Sequence, residues 1–432
     1  MSIKKALLES PRDTRLLWLS AFLRLTAFGA SNIVLTAYLA ALGVSESRIG
    51  IFMTTTLVGD VVLSYILTWY ADIIGRRRIM FFGSLFMVLA GLMFAQATSF
   101  WWLLFAAIIG VISPTGDEIG PFKSIEESAI AHLTPLSDRA SVYAWHWLIS
   151  CAGQATGTLF SGIFIQKLQD NGWQLIESYR AVFYVYAILA AGKCITMLFL
   201  SEKAEMNHSK HISISETMSL LTDDEEREQS KSKIINLSKE TSNVLKRLLC
   251  IFMIDSFAAG FMPSSWLVYY FSETFSLNPK TLGSLFFSTS IANSLSSLPS
   301  SIFARALGPV KATLSVQVPS CLLLISIPFS SNFYMAVVEL VLFYSTTAMD
   351  VVPRQVILTN LINPSELTRA MGIVNVGKTF ARCIGPSVIG KLAGEGYLWT
   401  GFIINGGLTL VADFMLWIMF YGVDEKIKMA EG

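Results

Sequence analysis

The chain has 432 residues, of which 53% are apolar and 15% charged, against about 25% charged in ordinary soluble domains. A soluble chain this apolar would carry large adhesive patches, so the composition points to a polytopic membrane protein and excludes a disordered chain, a disulfide scaffold and a nucleic-acid binder. The net charge is +1, from 32 basic and 31 acidic residues, and that sum names no charged partner. Cys151, Cys194, Cys250, Cys321 and Cys383 all fall in apolar stretches with no CxxC pair. They read as small buried residues rather than metal ligands or disulfides, and no cofactor or metal is expected. The opening MSIKKALLESPRDTR is too polar for a cleavable signal peptide.

A helix needs about 20 apolar residues to cross the hydrocarbon core. Twelve stretches qualify, near 16–40, 49–71, 79–98, 101–121, 141–165, 180–200, 247–271, 282–304, 312–329, 332–352, 370–391 and 397–421. Strands of an outer-membrane barrel would alternate instead. The segment 201–246 is charged, Ser-rich and nearly free of aromatics, and reads as a flexible linker. The expected organisation is therefore a six-helix bundle over 1–200, a linker over 201–246, and a second bundle with a short tail over 247–432.

Lysine and arginine set the orientation. With the N-terminus in the cytoplasm, 23 of the 32 fall on the inner side and five on the outer, while Arg24, Lys193, Lys378 and Arg382 lie inside spans. Both termini and the linker are therefore expected in the cytoplasm.

The two halves can be laid over each other. Arg24, Gly29 and Tyr38 in span 1 have the spacing of Asp255, Gly260 and Tyr269 in span 7. Gly50, Asp60 and Gly75 match Gly283, Asn293 and Gly308. Glu118 precedes Pro121 by the same interval as Asp350 precedes Pro353, and Arg139 and Arg369 follow in turn. Three matches in order make a duplication, one of the plans of secondary transporters.

Residues 72–78, Asp-Ile-Ile-Gly-Arg-Arg-Arg, resemble the Gly-x-x-x-Asp-Arg-x-Gly-Arg-Arg signature of the major facilitator superfamily. Thr68 stands at its first Gly and Ile73 at its first Arg, and the second copy has Arg305 at the Asp position. The stretches Ser113–Phe122, Asp255–Phe261 and Met349–Gln355 resemble a narrower subgroup, for which the resemblance supplies no substrate. It implies an all-α membrane protein of twelve transmembrane helices in a 6+6 pseudo-symmetric arrangement, with helices 1, 4, 7 and 10 lining a central cavity. Asp72, Gly75, Arg76 and Arg77 would belong to an inner gate.

An ionisable group inside the bilayer costs at least about 2.5–3.5 kcal/mol on insertion scales and is rarely idle. Arg24 lies about 13 Å into span 1 at 1.5 Å per residue, near the midplane. With cavity-lining helices, Arg24 and Asp255 would face each other, either binding an anionic and a cationic (or protonic) group or pairing to hold the halves together. Asp60, at similar depth, reads as the neutraliser of Arg24, a pair that protonation would break. Asp350 and Arg354 are one helical turn apart and read, with Glu118, as a local ion pair or an inner-mouth gate. Lys378 and Arg382 share one face of span 11 and read as a gate against Asp72 or as snorkelling cations. Glu126 and Glu127 read as cytoplasmic surface, His146 as core, and Lys193 has no role. Tyr38, Trp266 and Tyr269 are candidates for stacking on a substrate.

No HExxH or GxSxG is present, so the expectation is a non-enzymatic, proton-coupled secondary transporter of a small solute, monomeric in the bilayer and without a nucleic-acid partner. The alternative is a transporter-like sensor or an uncoupled uniporter. Glu216, Leu220 and Leu221 resemble an acidic dileucine signal for a sorting adaptor, which would send the protein to a vacuolar or endolysosomal membrane rather than the plasma membrane.

Overall fold

The computed structural model describes residues 10–114, 121–135, 138–202, 238–363, 366–422 and 424–425, and among them every regular element is helical. Eight helices are long and apolar enough to cross a membrane, with Phe333–Leu361 counted as one through the single 3-10 turn Ala348–Asp350. Spans 1, 2 and 3 are Arg12–Ala41, Glu46–Ile74 and Arg76–Gln96; spans 5 and 6 are Arg139–Asp170 and Leu175–Leu198; spans 9 and 12 are Pro309–Ser326 and Thr400–Phe420. The remaining spans are interrupted: span 4 is Phe100–Ile109 with Pro121–Leu133, and span 7 is Lys239–Phe261 with Ser264–Phe275. Span 8 is Pro279–Ser296 with Ser300–Leu307, span 10 is Phe333–Thr347 with Val351–Leu361, and span 11 is Leu367–Arg382 with Gly385–Gly394.

Two boundaries differ from the sequence expectation in the same way. Spans 4 and 10 end at Leu133 and Leu361, about two turns or more beyond the hydropathy limits near 121 and 352. In each, a proline opens or sits early in the resumed helix (Pro121 at its first position, Pro353 in its first turn). The fixed φ of proline suits a helix start, so the helix restarts where hydropathy says the apolar run ends.

Within the first half, span 1 packs on spans 5 and 6, and span 3 on span 6; within the second, span 7 packs on spans 11 and 12, and span 9 on span 12. The halves meet where span 2 packs on span 11 and span 5 on span 8. Large apolar side chains such as Ile188, Leu298 and Val376 face outward, as lipid contact requires. Helix starts are capped locally. Asn278 and Asn332 accept from Thr281 N at 2.8 Å and Met335 N at 3.0 Å, satisfying amides that a helix start leaves orphaned.

The repeat's terminal glycines have a conformational cause. Gly75 and Gly308 turn the chain from spans 2 and 8 into spans 3 and 9 at φ of 105° and 89°, a region nearly reserved for glycine. At Gly308 a Cβ would also lie 2.7 Å from the Asp424 carboxyl carbon. That carboxylate accepts from Val310 N at 2.8 Å and Lys311 N at 3.0 Å, capping span 9. Gly308→Ala should therefore cost about 1–3 kcal/mol from backbone strain alone, read as a lowered melting temperature of purified protein. Gly407→Ala, where a Cβ meets nothing within 4 Å, should not lower it.

Candidate functional site

A cavity of about 520 Å³ lies between the halves, within the range of small-molecule sites. Its wall is drawn from spans 1, 5, 7, 8, 9, 10, 11 and 12, with Trp147, Gln154, Asn293, Tyr344, Asn405, Lys378 and Arg382 among the lining side chains.

On the side away from the 203–237 segment the halves are stitched together. Asn32 Nδ2 donates to Ser264 Oγ at 2.7 Å, and Ser265 Oγ donates to Asn32 Oδ1 at 2.6 Å. Thr36 Oγ1 donates to the Ser265 carbonyl at 3.3 Å, and Tyr269 OH to Glu46 Oε1 at 3.3 Å. Ser387 meets Thr54 through its backbone N at 3.1 Å and its hydroxyl at 2.7 Å. Two glycine crossings bring the backbones into contact there. A Cβ on Gly50 would sit 2.8 Å from Gly390 Cα, and one on Gly162 would sit 2.8 Å from Gly283 Cα. Small residues at such crossings let helices approach closely where no hydrophobic force drives association in lipid.

The ionisable residues sort into two clusters, one inside each half. In the first, Arg24 Nη2 lies 2.7 Å from Glu126 Oε2 and Lys193 Nζ 3.5 Å from Glu126 Oε1. Ser20 Oγ donates to the same Oε1 at 3.2 Å, and His146 lies within electrostatic reach. Glu126 and Lys193 have no exposed surface. In the second, Arg354 grips Asp255 with two nitrogens at 2.6 and 3.1 Å, donates to Gln317 Oε1 at 2.6 Å, and sets Nε 2.7 Å from Asp350 Oδ2. Gln317 Nε2 returns a bond to Asp255 at 3.0 Å. Asp413 of span 12, only 2% exposed, is in electrostatic contact with Arg354. Such charges are tolerable at depth only because each has a partner.

Both clusters draw on the equivalent spans of the two halves, and at their one matched repeat position the sign is reversed, Arg24 against Asp255. Spans 1, 4 and 6 supply Arg24, Glu126 and Lys193, and spans 7, 10 and 12 supply Asp255, Arg354 and Asp413.

This geometry corrects several expectations. Arg24 and Asp255 do not pair across the cavity, because each is saturated within its own half. Asp60 does not neutralise Arg24. It is fully buried, its carboxyl oxygens have no hydrogen bond of ordinary geometry among the described residues, and the Ser113 side chain is a polar neighbour. Glu126 is not cytoplasmic surface; the resumed helix of span 4 carries it inside, and it supplies the partner that Lys193 lacked on sequence grounds. Asp350 and Arg354 do form the expected pair, as part of the larger cluster. Tyr38 donates to the Phe94 carbonyl at 2.8 Å with its ring 5.2 Å from that of Phe183, so it belongs to the core of the first half. Trp266 is fully buried against Tyr269, and Tyr269 bonds to Glu46, so both sit with the stitched side instead of the cavity wall.

Of the signature residues, Gly75 makes the turn described above. Arg76 donates to the Ser128 carbonyl at 3.2 Å and Arg77 to the Leu198 carbonyl at 3.0 Å, both within the first half. The side chain of Asp72 and all of Glu118, Glu216, Leu220 and Leu221 lie outside the described residues. Lys378 and Arg382 line the cavity. Sequence reading passed over Asp413 and Gln317; an acid mid-way along an apolar span was the available signal for Asp413, whereas Gln317 carries none.

The sequence pattern of the Major Facilitator Superfamily matches residues 17–261 and 248–431. The chain belongs to that superfamily. It is 48% identical over 432 residues to the uncharacterised membrane protein YJR124C of Saccharomyces cerevisiae, covering 96% of both chains. Among solved structures, a D-xylose–proton symporter superposes with a TM-score of 0.72 at 15% identity, covering 94% of this chain and 96% of that one. A bacterial homologue of the human lysosomal transporter Spinster, inward-facing and occupied, superposes with a TM-score of 0.71 at 12% identity, over 94% and 95%. At such identities these two structures establish the fold, a twelve-span arrangement of the superfamily in a multi-pass membrane protein of transporter architecture.

Proposed function

We propose that this protein is a secondary transporter that moves a small solute by alternating access, powered by protons that load at Asp60. The supporting observation is the one-sided closure of the cavity. Its stitched side combines hydrogen bonds that separate at low cost with glycine crossings that slide, while the charge clusters rigidify each half and do not bridge them. Two stiff halves, 1–200 and 247–432, would then rock about the cavity with 201–246 as their tether. The Lys and Arg asymmetry supports a cytosolic tether and cytosolic termini, and in that orientation the present state is the one accessible from the cytosol. An adaptor reading the 216–221 segment would direct the protein to a vacuolar or endolysosomal membrane.

Asp60 fits the coupling role because no described cation pairs with it. Moving its ionised form through an apolar environment is expensive, and a proton removes that charge. The test is uptake of a radiolabelled solute into liposomes after an imposed pH step. Asp60→Asn should abolish gradient-driven accumulation and leave solute exchange at zero gradient intact. Uptake that only equilibrates the solute and ignores the pH step would establish an uncoupled uniporter, and pH-driven accumulation that survives Asp60→Asn would remove Asp60 as the loading site.

A further inference from the structure

We propose that a groove on the flank of the first half, formed by the ends of spans 3, 5 and 6 on the stitched side, is a binding site for one phosphatidylethanolamine molecule, with Arg180 taking its phosphate and Glu177 its ammonium. The inference needs only the membrane-embedded fold and stands apart from the transport reading.

The groove measures about 790 Å³ and shares no lining residue with the cavity between the halves. Gln96 at the end of span 3, Phe164 of span 5 and Trp173 of the connecting turn line it. Span 6 adds Glu177, Arg180, Ala181 and Tyr184. Spaced i, i+3, i+4 and i+7, these four share one helix face, and Ile188, 69% exposed, continues the stripe one turn deeper. At 1.5 Å per residue, Glu177 lies about 3 Å and Arg180 about 8 Å along span 6 from its start at Leu175. Trp173 and Tyr184 are exposed beside them, as aromatic side chains are where hydrocarbon gives way to headgroups.

Glu177 and Arg180 are the charged residues of this groove, and neither forms an ion pair among the described residues. The Tyr38 hydroxyl is the polar neighbour of the Arg180 guanidinium and is itself committed to the Phe94 carbonyl. A hydroxyl leaves the cation's charge unanswered. Arg180 is half-buried, with its Nε shielded from solvent and without a hydrogen bond, so it gains from an anion at that depth. The flat guanidinium fork matches the oxygens of a phosphate.

The vertical order of the two charges selects the headgroup. The group that seeks an anion lies deeper, and the one that seeks a cation lies nearer water, about 4–5 Å away along the axis. Phosphatidylethanolamine presents its charges in that order, with phosphate next to glycerol and ammonium two carbons further out. Its primary ammonium donates hydrogen bonds to a carboxylate, which the quaternary ammonium of a choline lipid does not. A phosphatidylglycerol brings the phosphate alone and leaves Glu177 facing a like charge. One acyl chain then runs along Tyr184 and Ile188.

The test is native mass spectrometry of purified, delipidated full-length protein with phosphatidylethanolamine, phosphatidylcholine and phosphatidylglycerol of identical acyl chains. The parent should retain one phosphatidylethanolamine at collision energies that strip the other two. Arg180→Gln should weaken that binding at least about tenfold, and Arg180→Lys should keep most of it. Glu177→Gln should remove the preference over phosphatidylglycerol. Ala181→Trp fills the groove with both charges in place and should also displace the lipid. If Arg180→Gln does not purify as a monodisperse protein, Ala181→Trp and Glu177→Gln carry the comparison. Equal retention of the three lipids by the parent, or phosphatidylethanolamine retention unchanged in the Gln and Trp variants, would overturn the assignment.

Discussion

Glu126→Leu is expected to eliminate most folded protein, because it removes the anion that neutralises two buried cations. Arg24 is 7% exposed and Lys193 not at all, and both point at the same carboxylate. Breaking a buried pair by removing one partner costs about 3–5 kcal/mol, since the survivor keeps its desolvation penalty and loses its Coulomb return. Here there are two survivors, which also repel each other. The expected readout is loss of the monodisperse peak in fluorescence-detected size exclusion of membrane extracts. Glu126→Gln keeps shape and some hydrogen bonding and should fall between Leu and the parent. Lys193→Met placed on Glu126→Leu leaves one buried cation beside the leucine instead of two, and should recover part of the peak. A Glu126→Leu protein that elutes and melts like the parent would show that water reaches the cluster, contrary to its burial.

That cluster also marks what could and could not be read from the sequence. The twelve spans were legible because twenty apolar residues are a strong local signal, and the duplication because Gly50 and Gly283, or Gly75 and Gly308, recur at fixed spacing where a crossing or a positive φ demands glycine. The depth of Arg24 and Asp255 was legible too, since rise per residue converts position into depth. Their partners were not. Pairing depends on which faces of spans 1, 4 and 6 turn inward, and spans 1 and 6 have no sharp polar stripe to fix their rotation. Spans 4 and 10 compounded this, because hydropathy stops them at Pro121 and Pro353 whereas the helices run on. Glu126 was thus assigned to the surface, and Lys193 was left without a role. The opposite charges of Arg24 and Asp255 at one repeat position hid the second cluster in the same way. Matching Arg24 to Asp255 by repeat position suggests an attraction across the cavity, whereas each residue has the partner its own half supplies.

The glycine crossings support a second large effect, on conformation rather than on folding. A Cβ at Gly50 would lie 2.4 Å from the Pro386 carbonyl oxygen and 2.8 Å from Gly390 Cα, so Gly50→Val meets backbone, which cannot rotate away as a side chain can. Overpacking of this kind costs about 1–3 kcal/mol. Inside one bundle that would be lost stability. Between two halves that separate during transport it is a penalty on the closed far side only, and about 1–3 kcal/mol shifts such an equilibrium by roughly 5- to 150-fold. The measurement is labelling of a cysteine at Val268, which is 3% exposed and lines the cavity, in a background with the five native cysteines replaced. With Gly50→Val, a membrane-impermeant maleimide added from the far side should react much faster than in the parent, transport should be lost, and the size-exclusion profile should be unchanged. Gly283→Val, at the matching crossing with Gly162, should act in the same direction, and the two together more strongly than either. An unchanged labelling rate with normal flux would mean that these contacts stay closed or yield without consequence. Aggregation would mean that they are core packing within one rigid unit. Faster labelling in a monodisperse protein is the outcome that only a moving gate produces, because relief of the backbone clash then lies along the same path as opening.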